Sequence, residues 1–118
     1  MDNSTKSLST IQSEVKEWSY HNFGEGGPGW RQILGMQEEL GELSHHYLKR
    51  AQKIRNNEDH DEGIEDSLGD FMIYAMDFCN KEYLSLEEII NRVCEKVKQR
   101  DWIKNPTNGE TNENPVSS

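Results

Sequence analysis

Two groups of acidic residues have the spacing of metal ligands on helices. Glu42 follows Glu38 by four residues and Glu39 by three. In the same way, Asp70 follows Asp66 by four. Residues at these offsets share one helix face, with Cβ atoms about 5–6 Å apart, so their like charges repel each other. A bound cation would offset that repulsion, although a solvated helix face also tolerates such pairs.

The context of Asp70 favours a metal site. The apolar run from Phe71 to Met76 follows it directly and predicts a carboxylate near the protein interior, where an unpaired charge is costly. Two adjacent helices with such carboxylates can meet around an ion. Several oxygen ligands without cysteine suit Mg²⁺, with Mn²⁺ as an alternative. The spacing alone leaves a metal site and a solvated acidic surface both open.

The elements that carry these acids are predicted to be helices, because apolar residues recur at steps of three and four. A capping box at Ser9 is expected to begin the first helix, and the second has an apolar stripe from Ile33 to Ile54 that should face the core. The predicted bounds are 9 to 22–24, 30–55, 64–80 and 85 to 102–104. Short connections between them predict an all-α fold, a four-helix antiparallel bundle.

The remaining segments lack helical periodicity. Residues 24–29 contain four glycines and a proline and are predicted to be a loop. We expect residues 1–6 to be a disordered N-terminus, residues 7–104 to be the helical domain and residues 105–118 to be a disordered tail.

Composition narrows the classes of partner. The net charge is -9, from 22 acidic against 13 basic residues. Nucleic-acid binders usually show the opposite balance, because lysine and arginine contact phosphates, so no nucleic-acid partner is expected. No apolar run reaches the roughly 20 residues of a membrane span and no signal-peptide core is present, so a cytoplasmic protein without a membrane partner is expected. Only 32% of residues are apolar, which favours an oligomer with a shared core.

Several motifs together resemble those of one enzyme family. The segment EELGEL at 38–43 resembles the EExxE motif of the MazG-like, all-α nucleoside triphosphate pyrophosphohydrolases. The segment LGD at 68–70 resembles the family's second acidic motif, and Lys96 with Arg100 resembles the basic end of its last helix. The resemblance covers about residues 11–104. It implies a helical dimer or dimer of dimers that hydrolyses a (deoxy)nucleoside triphosphate to the monophosphate and pyrophosphate with Mg²⁺.

The resemblance also implies roles for the acids. By position in the motifs, Glu39, Glu42 and Asp70 would be metal ligands, and Glu38 would support them or orient the attacking water. The glutamate of the family's ExxD motif falls on Ser67, which is a poor replacement for an anionic ligand. We expect the neighbouring Asp66 to supply the missing oxygen.

Basic and aromatic residues are expected to contact the nucleotide. Lys49 and Lys53 continue the acidic face of the second helix. The expected phosphate contacts are Lys49, Lys53, Lys96 and Arg100. Trp30, just after the glycine-rich segment, is the preferred aromatic residue at the edge of the site, and Trp18, Tyr74 and Trp102 are further candidates for stacking on a base.

Two other functions remain open. A di-iron site would need two Glu-x-x-His motifs on separate helices, and only Glu42 with His45 fits. Because the second motif is missing, His45 and His46 are expected to lie at the surface and His60 in a loop. Alternatively, the chain is a non-catalytic helical interaction module whose acidic face binds a basic partner, which Ser67 favours.

Overall fold

The computed structural model describes residues 4–110, and these residues form four α-helices and no strand. The predicted all-α class is therefore confirmed. The helices are α1 (Leu8–Phe23), α2 (Trp30–Gln52), α3 (His60–Lys81) and α4 (Leu86–Lys98). The chain divides into two compact units, Met1–Leu86 and Glu87–Ser118. No helix among the described residues has the length and apolar character that a membrane span requires.

Helix α1 begins two residues earlier than the predicted capping box. Ser7 is the N-cap, and its side-chain oxygen accepts a hydrogen bond from the backbone N–H of Thr10 at 3.1 Å. Gln12, the expected partner of Ser9, instead contacts the segment that follows α3. Its amide donates to the carbonyl of Leu84 at 2.9 Å, and its oxygen accepts from the N–H of Leu86 at 2.9 Å.

Helices α2 and α3 form an antiparallel pair. Near the start of α2, Gln32 donates to Asp77 at 2.9 Å, and near its end Arg50 donates to Asp61 at 2.7 Å. Residue numbers therefore fall along α3 as they rise along α2. Helix α1 also runs antiparallel to α3, since Gln12 contacts Asn80 and the later residue Ser19 contacts Asp77.

The segment that connects α2 and α3 ends earlier than predicted, because α3 begins earlier. Helix α3 begins at His60 rather than at 64, because the Asp59 side chain caps it by accepting from the N–H of Glu62 at 3.0 Å. Two acidic residues in the first turn also suit the positive end of the helix dipole. Helix α2 ends at Gln52, where Lys53 adopts a left-handed conformation with φ of 59°. His60 is therefore a helical residue, not a loop residue as expected.

The apolar core of the described chain is small. The buried apolar residues are Val15, Met76, Cys79 and Leu86. No residue of α2 is fully buried, and large side chains of its predicted stripe, including Ile33 (44% exposed) and Leu40 (52% exposed), are open to solvent. The expectation that this stripe faces a core within one chain is therefore wrong.

In the second unit, a hydrogen-bonded turn follows α4. The Asp101 N–H donates to the carbonyl of Gly109 at 2.8 Å, and the Gly109 N–H donates to that of Asn105 at 2.8 Å. Gly109 has φ of 72°, and a side chain there would collide with the Trp102 ring. Residues 105–110 of the predicted tail thus belong to this turn. Two parts of the predicted disordered segments, residues 1–3 and residues 111–118, lie outside the described residues.

Candidate active site

A cavity of about 500 Å³ opens within the first compact unit, which contains α1, α2 and α3. Its walls come from α1, the glycine-rich segment, α2 and α3. The cavity combines carboxylates, cationic side chains and aromatic rings, which are the chemical groups that a metal-bound nucleotide requires.

Glu39 of α2 and Asp70 of α3 both line this cavity. Burial raises the pKa of the Glu39 carboxyl above its ordinary value, and the negative charges of Asp70, Glu38 and Glu42 raise it further. The acids of the two helices therefore act on one another electrostatically. A divalent cation beside Glu39 and Asp70 would relieve this repulsion, and an oxygen-only donor set suits Mg²⁺ or Mn²⁺.

The other predicted acids lie near this pair but outside the cavity lining. Glu38, Glu42 and Asp66 are exposed. Asp70 is exposed too, so the expectation that it lies near the protein interior is wrong, although it lines the cavity. The contact of His46 with Gly63 and that of Gln32 with Asp77 set a register in which position 67 comes level with Glu42. Ser67 is only 5% exposed, whereas its neighbour Asp66 points outward.

The basic residues that line the cavity are not those that the sequence predicted. Arg31 and Lys81 lie in its wall. The Lys81 Nζ also donates to the carbonyl of Gly26 at 2.8 Å, which ties the end of α3 to the glycine-rich segment. The spacing held a signal for this residue, because Lys81 follows Asp70, through Tyr74 and Asp77, at steps of four, three and four.

The predicted basic residues lie elsewhere. Lys49, at the opposite end of α2 from Arg31, donates to Gln52 at 3.4 Å, and Lys53 is exposed as the C-cap of that helix. Lys96 and Arg100 are exposed residues of the second unit. None of these four lines the cavity.

Aromatic side chains form part of the cavity wall. Trp18 and Phe23 line it, and their rings meet edge to face with centroids 5.6 Å apart. Tyr74 lines the cavity from α3, and its ring occupies the space that a side chain at Gly35 would fill. The preferred Trp30 is 55% exposed and lies against the guanidinium of Arg31, but it does not line the cavity.

A buried carboxylate within the cavity has an unused acceptor. One oxygen of Asp77 accepts from Ser19 at 3.1 Å and from the amide of Gln32 at 2.9 Å. Among the described residues, the other Asp77 oxygen and the amide oxygen of Gln32 have no hydrogen-bond partner, although both are buried. Buried acceptors are normally satisfied, so these two are suited to a ligand or a water that donates hydrogen bonds.

Comparison with known proteins identifies related sequences. Residues 31–102 match the model of the MazG nucleotide pyrophosphohydrolase domain. An uncharacterized protein of Bacillus subtilis (strain 168), YpjD, is 31% identical over 106 residues, which cover 83% of this chain and 89% of that protein. No solved structure matches.

Proposed function

Because the chain belongs to the family of MazG nucleotide pyrophosphohydrolase domains, we propose that it hydrolyses a (deoxy)nucleoside triphosphate to the monophosphate and pyrophosphate with Mg²⁺. Mn²⁺ is the alternative ion. The observation that carries the proposal is the placement of Glu39 and Asp70, from two helices, in one cavity that cations and aromatic rings also line.

The acids have distinct proposed roles. Glu39, Glu42 and Asp70 would hold the divalent ion, which supplies charge neutralisation and polarises the attacked phosphorus. Glu38, exposed beside Glu39, would orient the water that attacks the α-phosphorus, with pyrophosphate as the leaving group. Asp66 would add an oxygen in place of the side chain that Ser67 lacks.

The cavity also suggests how the rest of the nucleotide binds. Arg31 and Lys81 would attract the phosphates. Lys49, Lys53, Lys96 and Arg100 remain proposed phosphate contacts, although none of them lines the cavity. Trp30 would border the entrance beside Arg31.

The buried acceptors favour a particular class of base. The free oxygens of Asp77 and Gln32 can only accept hydrogen bonds from a ligand. A base with an exocyclic amino group, such as cytosine or adenine, offers two N–H donors on one nitrogen. We therefore propose that such bases are preferred over thymine and uracil, while Trp18 or Tyr74 contacts the ring face.

Exposed apolar side chains support an oligomer. The part of the chain that the structure describes buries few apolar residues, while α2 exposes Leu34 (54%), Leu40 (52%) and Leu48 (50%). We propose that two copies of the chain cover this surface as a homodimer, alone or paired into a tetramer.

The proposed reaction is tested by incubating the purified chain with each common NTP and dNTP and millimolar MgCl₂. Release of pyrophosphate, abolished by EDTA, is the expected result. Release of orthophosphate would mean that a different bond is cleaved. Failure with every nucleotide would favour the interaction module, the function that Ser67 supports.

A further inference from the structure

Three of the four histidines in the chain gather with Glu58 where α2 ends and α3 begins. His45 Nε2 lies 3.0 Å from a carboxylate oxygen of Glu58, and His46 Nδ1 lies 4.0 Å from the same oxygen. The ligand atoms of His45, His46 and Glu58 all lie within 4.8 Å of one another. Tetrahedral zinc with ligands at about 2.0–2.1 Å places neighbouring ligand atoms roughly 3.3 Å apart, so small side-chain movements suffice to close this set around an ion.

His60 adds a third nitrogen, and a fourth ligand atom, to the cluster. Its Nε2 lies 3.2 Å from the carbonyl oxygen of Ile54, which can only accept, so Nε2 carries the proton. In neutral His60 the unprotonated Nδ1 then lies 3.0 Å from His46 Nδ1. Two imidazole nitrogens at this distance require a proton or a cation between them. A backbone carbonyl that fixes the tautomer is also the usual outer partner of a metal-binding histidine.

The cluster is held in place by packing. The His46 ring fills the space beside Gly63 of α3, where any side chain would overlap it. His60 is 8% exposed, and the His46 side chain is 15% exposed. His45 and Glu58 are about one-third exposed, which leaves one side of the cluster open for entry of an ion.

The cluster is separate from the acidic pair in the cavity. His46 lies two turns beyond Glu39 along α2, about 10 Å along the helix axis. The ligand atoms of the cluster also differ from those of the acidic pair. Imidazole nitrogen suits zinc and similar transition metals, whereas carboxylate oxygens alone suit Mg²⁺.

We propose that His45, His46 and Glu58 bind a zinc ion, with His60 as the fourth ligand. The ion joins the last turns of α2, the connecting segment and the first residue of α3. Its role is to fix the α2–α3 hairpin that positions Glu39 opposite Asp70. The proposal does not depend on the hydrolytic function, because zinc binding is measured without nucleotide.

The test is calorimetric titration of the metal-free, untagged full chain with ZnCl₂ in the presence of excess MgCl₂. We expect one zinc per chain and a raised melting temperature. In His45→Asn/His46→Asn the zinc affinity should fall at least a hundredfold, and in Glu58→Gln at least tenfold. Replacing zinc with Co²⁺ should give the visible absorption bands of a tetrahedral site.

Two variants serve as controls. His21→Asn removes the one histidine outside the cluster, and Glu39→Gln/Asp70→Asn removes the acidic pair; both should bind zinc as the native chain does. Circular dichroism confirms that each variant is helical. Absence of stoichiometric zinc binding, or equal loss of binding in His21→Asn or in Glu39→Gln/Asp70→Asn, would overturn the proposal. Native affinity in a folded His45→Asn/His46→Asn variant would overturn it as well.

Discussion

At the scale of single residues, ionisation of Glu39 destabilises the folded chain. Burial and then the charges of Asp70, Glu38 and Glu42 raise the pKa of Glu39 above its ordinary value of 4.5. The folded chain therefore binds this proton more tightly than the unfolded chain does. Ionisation of Glu39 lowers stability above the raised pKa, and this cost disappears below about pH 4.5, where both states are protonated.

Glu39→Gln should consequently stabilise the metal-free protein. Removal of the like-charge repulsion is worth about 0.2–0.5 kcal/mol per pair, which raises the Tm by about 1–4 °C at pH 7.5 in EDTA. The gain should shrink at pH 4 and also when MgCl₂ is added to both proteins. Calorimetric melts at the two pH values check this, and an unchanged or lower Tm at pH 7.5 would contradict it.

Ionisation of Glu58 should stabilise the folded chain, in contrast to ionisation of Glu39. Its hydrogen bond with His45 is the main cause that lowers the pKa of its carboxyl. The charged form therefore stabilises the fold above the ordinary value of 4.5, and this contribution is lost as the pH falls through the lowered pKa. In EDTA, Glu58→Gln should lower the Tm at pH 6 and have less effect at pH 3.5. A Tm gain at pH 6 would show that the hydrogen bond with His45 is absent.

Asp77 should determine which bases are accepted. Asp77→Asn keeps an oxygen for Ser19 and Gln32 but replaces the free acceptor with an amino donor. Loss of a hydrogen bond to a charged group is worth about 1.5–3 kcal/mol, so kcat/KM for dCTP or dATP should fall roughly 10- to 100-fold. The value for dTTP should fall less or rise. An equal fall for all nucleotides would show that Asp77 has a structural role only.

Residues at the cavity show which parts of the site the sequence could predict. The spacing of the acids indicated five candidates, and two of them, Glu39 and Asp70, line the cavity. Arg31 and Asp77 were missed because they are ordinary polar residues until the antiparallel register brings them together. Lys81 was missed although its helical spacing from Asp70 was a signal. The histidine cluster was missed because the length of α3 depends on the cap at Asp59, and a helix that starts at 64 leaves His60 in a loop.

At the scale of helices, the close packing of α2 on α3 depends on glycine. A Cβ at Gly35 would overlap the Tyr74 ring, whereas a Cβ at Gly41 on the same helix meets nothing within 4 Å. Gly35→Ala should therefore destabilise the chain by about 1–3 kcal/mol through overpacking.

Gly41→Ala is the matched control for this prediction. It should stabilise the chain by up to about 1 kcal/mol, because alanine favours helix more than glycine does. Urea unfolding of both variants measures the difference. Similar stabilities for the two alanine variants would mean that the Tyr74 ring does not pack against α2 at this position.

Helix types and order follow from apolar periodicity, but helix bounds and burial do not. The first cap is at Ser7 rather than Ser9, since Gln12 is drawn into hydrogen bonds with Leu84 and Leu86. The apolar stripe of α2 was predicted correctly as a helical pattern. Its exposure could not be predicted, because periodicity identifies a face without identifying what covers it.

At the scale of the whole molecule, the exposed apolar side chains of α2 predict self-association. Light scattering coupled to size exclusion should give the mass of a dimer or tetramer. The Tm should rise with protein concentration, since association stabilises the folded chain by mass action. A monomer at all micromolar concentrations, with a constant Tm, would contradict this assembly.

The central claim is that Glu39 and Asp70 act together on one divalent ion to promote cleavage of a nucleoside triphosphate. The most direct measurement compares Mg²⁺-dependent pyrophosphate release by the native chain, Glu39→Gln, Asp70→Asn and the double variant, with His21→Asn as a control. Each single variant should lose at least a hundredfold in kcat/KM, and the double variant should lose little more, because residues that act as a unit are not additive. Near-native rates in either folded single variant would contradict the claim.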